Sequence, residues 1–240
     1  MGNVLVNEAS LQAIADAIRV KNGSTEKYLP SEMPSAIEGI QSGGEDLMQY
    51  VAKVGFKDAT FPEGYELVVN VPNLGVNSST NAFTDSVTFG NTKGVKKIKL
   101  IGNPKNALLN MSQMFISSSV EVIDFTEFPV ISNTTFTSAF NSCAQLESIF
   151  GKMDMSNCTS ATSAFMNCKS LKDIEFKENS IGAQFNFVHS SLLSDTSIQN
   201  IIDALKPLEE AKTISFHADV KAKLTEAQIS QITSKNWTLA

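Results

Sequence analysis

Apolar residues recur at a fixed interval between about residues 95 and 176. Each unit has apolar residues at positions i and i+3, and three of the four units add one at i+5. In those three units one polar residue separates the apolar residues at i+3 and i+5. This alternation is typical of a strand with one buried face. The units begin at Val95, Val120, Leu146 and Leu171, so the step is 25 or 26 residues. The pattern predicts four equivalent strands.

A second row of apolar residues keeps the same interval. Phe115, Phe140 and Phe165 each precede a short break and the next strand, and we expect one helical or 3₁₀ turn to carry each of them. Burying the large side chains of one unit contributes roughly 1.5–3 kcal/mol each. Ordering its backbone costs about 1–2 kcal/mol per residue, so no unit is stable alone and the units must stack.

The best-formed units are residues 140–149, FNSCAQLESI, and residues 165–174, FMNCKSLKDI. They resemble the BspA-type leucine-rich repeat, in which Phe, Cys, Leu and Ile follow one another at the same spacing. The unit around Phe115 departs from the pattern because it has no Cys at the corresponding position. The resemblance implies an α/β leucine-rich-repeat solenoid.

Two helices are predicted near the start of the chain. Residues 8–21 place Leu11, Ile14, Ala15 and Ile18 on one stripe, and a second helix follows Pro34. We assign residues 1–44 to a helical attachment or oligomerisation module, which makes a homo-oligomer through residues 8–40 one expected assembly. The alternative is a helical hairpin that caps the solenoid. Residues 45–240 are assigned to the solenoid, with an irregular first coil and a C-terminal cap.

The C-terminal cap is predicted to contain helices and strands. A helix over 197–208 has Ser194 or Asp195 as its N-cap, and a second helix is expected over 224–232. Strands are predicted at 213–216 and 237–239, and another, near the start of the domain, at 65–71. Such an atypical end would cover the last open core of a repeat array.

Both termini show a further resemblance. Residues 11–23, LQAIADAIRVKNG, and 28–40, YLPSEMPSAIEGI, are similar to a segment near the start of tail and baseplate-associated proteins of phages and prophages of Gram-positive bacteria. Residues 217–239 resemble the ending of the same proteins. The resemblance implies a phage tail protein, located in the virion or, before assembly, in the bacterial cytoplasm. The alternative is a BspA-type adhesin on the bacterial cell surface, although no signal peptide is visible.

Composition narrows the range of partners. The net charge is −6 and charged residues make up 18% of the chain, without a cluster of Lys or Arg. This balance argues against nucleic acid and anionic membrane surfaces as partners. Because no apolar stretch approaches the length of a membrane span, we expect no membrane insertion.

The sequence offers little for catalysis. It contains no glycine-rich phosphate loop, nucleophile elbow or zinc motif, so we expect no enzyme activity, cofactor or metal. Cys143 and Cys168 hold equivalent positions in neighbouring units and are predicted to stack as small buried side chains. A disulfide between them is the less favoured alternative, given three cysteines and no secretion signal.

Binding is therefore the expected function, and the outward positions of the strands are the candidate site. The partner would be a protein or a cell-surface glycan. When the four units are aligned, the outward positions change from basic in the first unit to acidic in the last, with an apolar patch between. Phe150 stands where the neighbouring units have charged residues. In the alternative interpretation the loop at 151–155 covers Phe150. The candidate binding residues are Lys97, Lys99, Val122, Asp124, Phe150, Asp173 and Glu175.

Overall fold

The computed structural model describes residues 16, 57–58, 60–70, 89–101, 108–128 and 132–240. The chain divides into two units, residues 1–47 and 48–240. In the first unit the description covers Asp16, which is helical and exposed. The predicted helices at 8–21 and 34–40, the boundary after residue 44 and the proposed oligomerisation surface otherwise lie outside the described residues.

The described part of the second unit contains ten strands and three short helices. The strands are β1 (Thr60–Asn70), β2 (Lys93–Ile101), β3 (Leu108–Asn110), β4 (Val122–Asp124), β5 (Ser132–Thr135), β6 (Ser148–Met153), β7 (Asp173–Phe176), β8 (Phe185–Phe187), β9 (Lys212–Phe216) and β10 (Trp237–Leu239). The helices are α1 (Asp195–Ala204), α2 (Ala218–Lys221) and α3 (Glu226–Ser234).

Among the described residues, all the strand pairs are parallel and form three sheets. The largest has the order β1-β2-β4-β6-β7, the second β10-β9-β8, and the third β3-β5. The predicted strands pair in the predicted register, since Ile98, Ile123, Ile149 and Ile174 lie opposite one another on successive strands. All four side chains are buried. The strands predicted from the repeated spacing are therefore confirmed.

The predicted phenylalanine row forms a continuous column in the core. The ring centroids of Phe115 and Phe140 are 5.2 Å apart, and those of Phe140 and Phe165 are 5.4 Å apart. Phe89 extends the column at one end, 5.1 Å from Phe115, and Phe187 at the other, 4.9 Å from Phe165. These five rings are fully buried, so the column links the core of the five-stranded sheet to that of the three-stranded sheet.

The segments that carry these rings are turns, not helical turns, and that prediction was wrong. We call residues 111–118, 136–143 and 161–168 the turn segments. The amide of Ser138 donates to the carbonyl of Thr162 at 2.9 Å, and that of Phe140 to the carbonyl of Ala164 at 2.9 Å. An amide bonded to the next segment cannot also donate to the carbonyl four residues back, which an α-helix requires. The amide of Ala139 does donate three residues back, to the carbonyl of Phe136 at 3.1 Å, but this turn encloses the left-handed Ser138, which a 3₁₀ helix would not contain.

Left-handed residues make this hydrogen bonding possible. Gln113, Ser138 and Ser163 have φ of 58°, 54° and 55°, and they hold equivalent positions in successive units. A second set, Ser117, Ser142 and Asn167, follows the first within the same turn segments, with φ of 56°, 63° and 62°. The left-handed residues recur at every fourth position, and every second amide of the first two turn segments donates to the neighbouring segment. Such conformations are unfavourable for most side chains, so each bond between segments must offset some backbone strain.

The predicted fold class, an α/β leucine-rich-repeat solenoid, is corrected by these observations. The described residues between 89 and 187 contain no helix, and the three helices found in the described residues beyond 56 all lie in 195–234. The five-stranded sheet stops at β7, because β8 pairs with β9 in another sheet. The second unit is a mixed fold dominated by short parallel strands in three sheets.

The C-terminal elements follow their local sequence signals. Ser194 caps α1 by accepting a hydrogen bond from the amide of Ser197, and Thr225 forms a capping box with Gln228 at the start of α3. The predicted helix over 197–208 ends early, because Leu205 is extended and bridges to Ile181. The strands predicted at 213–216 and 237–239 are confirmed as β9 and β10.

The cysteines are buried free thiols. Sγ of Cys143 donates to the carbonyl of Phe115 at 2.8 Å, and Sγ of Cys168 to that of Phe140 at 3.0 Å. The predicted burial of Cys143 and Cys168 is confirmed, and the alternative disulfide is not formed. Burial raises the pKa of Cys143 to about 12 and raises those of Cys158 and Cys168.

Buried thiols with raised pKa values should be chemically inert in the native protein, since the thiolate is the reactive form. We expect a disulfide reagent such as Ellman's reagent to label none of the three cysteines under native conditions at mildly alkaline pH. All three should react in concentrated guanidinium chloride. Rapid native labelling of Cys143 would contradict the burial described.

The phenylalanine column predicts a large effect of truncation. Phe140→Ala removes a ring stacked on both sides and should lower the free energy of unfolding by about 3–5 kcal/mol. Denaturant titration followed by circular dichroism measures the change. Phe150→Ala is the matched control because that ring is partly exposed, and it should cost less than about 1 kcal/mol. Equal losses in the two variants would show that the column is not the core.

Candidate functional site

The structure brings six of the seven predicted binding residues into two rows across the five-stranded sheet. One row consists of Glu66, Lys97, Val122, Ser148 and Asp173, and the other of Val68, Lys99, Asp124 and Phe150. We call these two rows the outward face. The seventh residue, Glu175, is exposed on β7 but has no strand partner in the register, since β6 and β7 shift between Ile149 and Met153.

The charges on the outward face are largely paired. Nζ of Lys97 lies 2.8 Å from Oδ2 of Asp124, and Nζ of Lys99 lies 2.5 Å from Oε1 of Glu127. Asp173 accepts hydrogen bonds from Oγ of Ser148 at 3.2 Å and from Oγ of Ser194 at 3.0 Å. The face therefore has fewer free charges than the basic-to-acidic gradient in the sequence indicates.

Asp124 is the most enclosed charged group of this face, with a side chain only 9% exposed. The amide and the hydroxyl of Thr126 both donate to its Oδ1, at 3.0 and 2.6 Å. Burial alone would raise the pKa of Asp124. The hydrogen bonds from Lys97 and Thr126 outweigh that effect and lower the pKa to about 2. Asp124 therefore stays ionised and fixes Lys97 over the sheet.

Phe150 is open to solvent on this face. Phe150 is 42% exposed, so residues 151–155, which were predicted as a loop, do not cover it, and residues 151–153 are part of β6. Gly151 lies within β6 and has φ of 96°, and a Cβ there would lie 2.7 Å from the carbonyl carbon of Phe125. The backbone therefore passes close to Phe125 immediately after Phe150, which stays partly exposed.

Sequence reasoning missed two features. Val68, at the other end of the Phe150 row, is 57% exposed, but the register of β1 could not be deduced because β1 lies outside the clear repeats. The second feature is a groove of about 260 Å³ between the third turn segment and β8. Its residues belong to elements that the repeat pattern does not relate to each other, so no sequence signal identifies it.

Within the described parts of the chain, no group of three or more His, Cys, Asp or Glu residues could hold a metal ion. A search of those parts also finds no helix of the length and apolar character needed to cross a membrane. His189 is exposed while Cys168 is fully buried.

Comparisons of the chain with protein-family models, with curated proteins and with solved structures found no match. The likenesses to BspA-type repeats and to phage tail proteins remain predictions from the sequence.

The lowered pKa of Asp124 predicts a pH effect on stability. A carboxylate whose pKa is lower in the folded than in the unfolded state stabilises the fold above the unfolded value of about 4, and the stabilisation is lost as the pH falls through about 2. The free energy of unfolding should therefore fall more steeply between about pH 4 and pH 2 in the wild type than in Asp124→Asn. Denaturant titrations across this range measure the slopes.

Glu175→Gln is the control, since it removes an exposed carboxylate from the same sheet. In this variant the free energy of unfolding should fall with pH as steeply as in the wild type. If Asp124→Asn and the wild type lose stability in parallel, the ion pair with Lys97 does not contribute as described.

Proposed function

We propose that this protein is a non-enzymatic binding protein and that the outward face contacts its partner. The observation that carries the proposal is the exposed ring of Phe150 on a rigid sheet, beside charges that are already paired. Exposed aromatic residues on preorganised surfaces frequently supply a large part of binding energy. Here the ring is placed by β6, whose neighbours β4 and β7 flank it on both sides.

The paired charges support the same function. When a partner excludes water from a surface, free charges lose hydration and oppose binding. Lys97 and Asp124 already satisfy each other at 2.8 Å, and Thr126 completes the hydrogen bonding of the carboxylate. This arrangement lowers the cost of covering the centre of the outward face. The exposed side chain of Val68 adds apolar area at the other end of the same row.

The partner we propose is a host-surface component or another structural protein of a phage tail. The similarity of residues 11–40 and 217–239 to tail and baseplate-associated proteins supports this role and a location in the virion. A BspA-type adhesin on the bacterial surface is the alternative. Both roles involve recognition without catalysis, and immunogold labelling of phage particles and of whole cells distinguishes them.

Photo-crosslinking tests the outward face directly. A photoreactive phenylalanine analogue placed at position 150, in the bacterium that encodes the protein, should form a specific covalent adduct. The same analogue at position 229 is the control, because Ile229 is comparably exposed on α3. Mass spectrometry identifies the adducts. Equal adducts from both positions, or adducts only from position 229, would contradict the proposal.

Once that partner is isolated, Phe150→Ala should weaken its binding by roughly tenfold or more. Thermal unfolding should change little, since the ring is not part of the core. Binding that survives unchanged in the Phe150→Ala variant would show that the ring is not part of the contact.

A further inference from the structure

The hydrogen bonding between turn segments stops at the third segment. The amide of Phe136 donates to the carbonyl of Ser160 at 2.8 Å, and the amide of Ser138 donates to the next segment in the same way. The equivalent amides of the following unit belong to Ala161 and Ser163. Neither makes a hydrogen bond with any described residue of the chain.

The position of β8 explains why the bonds stop. The phenylalanine column continues, but fewer residues separate Phe187 from Phe165 than separate Phe165 from Phe140. β8 pairs with β9 on its other side, with Phe185 opposite Ile214. The core is therefore continuous, whereas the hydrogen bonding between backbone segments is not. The groove of about 260 Å³ lies between the third turn segment and β8.

The groove is polar without being charged. Hydroxyl groups of Thr162, Ser163 and Ser215 and the side-chain amides of Gln184 and Asn186 line it. Its lining contains no Asp, Glu, Lys or Arg, and the one titratable side chain is His189. Hydroxyls and amides both donate and accept hydrogen bonds, so these groups suit a ligand that does the same.

Two partly exposed apolar side chains line the groove. Met166 is 42% exposed and Val188 is 37% exposed, and both line the groove. The hydroxyl of Thr162 lies within 3.3 Å of that of Ser160, which in turn lies 3.0 Å from that of Thr137. These hydroxyl contacts hold Thr162 in place beside the groove.

We infer that the groove binds one ring of a neutral saccharide. A pyranose ring presents hydroxyl groups at its edge and C–H groups on its face, which match the hydroxyl and amide lining and the apolar side chains of Met166 and Val188. The unpaired amides of Ala161 and Ser163 supply further donors to sugar oxygens. Pockets for drug-sized ligands usually have volumes of roughly 300 Å³ or more, so this slightly smaller groove suits a single ring. The site uses none of the residues of the outward face, so it stands independently of the proposed function.

Saturation-transfer NMR on the full chain tests the inference. The probes are glucose, galactose and N-acetylglucosamine as neutral sugars, with N-acetylneuraminic acid and inorganic phosphate as anions. Ser163→Gly removes one hydroxyl while keeping the left-handed backbone, and Met166→Ala shortens one of the two apolar side chains that line the groove. The matched controls are Ser138→Gly, at the equivalent position one unit earlier, and Ile229→Ala, which shortens a comparably exposed side chain elsewhere.

At least one neutral sugar should bind, and Ser163→Gly should weaken it roughly three- to tenfold, as loss of one hydrogen bond does. Met166→Ala should weaken it as well, and neither control should change it. Thermal unfolding of each variant reports whether the fold is intact. The inference is overturned if no neutral sugar binds, if only the anions bind, or if the controls and groove variants bind equally.

Discussion

The structure depends on backbone hydrogen bonds from each turn segment to the next. These bonds satisfy the amides of a stretch that forms neither a helix nor a regular strand, and buried unsatisfied amides are costly. They also set the distance between consecutive units, at which the phenylalanine rings of the column stack with centroids 5.2 and 5.4 Å apart. The left-handed residues that direct the amides, such as Ser138, are favourable only because the neighbouring segment accepts the bond.

Both candidate sites, the outward face around Phe150 and the groove, lie where a unit differs from the repeated sequence pattern. On the sheet side, Phe150 replaces the charged residue that neighbouring strands place at this position, and Gly151 replaces the third apolar residue of the unit. On the turn side, the step to Phe187 is shorter, the hydrogen bonding between backbone segments stops, and the groove lies beside the third turn segment. The regular units form the surface. The positions that differ from the pattern, Phe150 and the groove, are the features that a partner can recognise.

The features that were predicted correctly from the sequence, such as the strand alignment and a helix cap, depend on local spacing. Ile98, Ile123 and Ile149 could be aligned because side chains on a strand alternate, and the Ser194 cap follows from a local motif. The turn conformation was missed because its hydrogen bonds join residues of different units, and a short Ser- and Ala-rich segment before Phe fits a helical turn equally well. The division into three sheets, the pairing of Lys97 with Asp124, and the groove depend on tertiary geometry that spacing does not encode. The fold class was wrong for that reason.

Hydrogen exchange of individual amides, followed by NMR, tests this account most directly. The amides of Phe136, Ser138 and Phe140 should be strongly protected, because each donates to the next segment. The equivalent amides of Ala161 and Ser163 should exchange markedly faster, since no described carbonyl accepts from them. Equal protection of the two sets would contradict the interrupted hydrogen bonding, and fast exchange of both would contradict the role of these bonds in holding the units together.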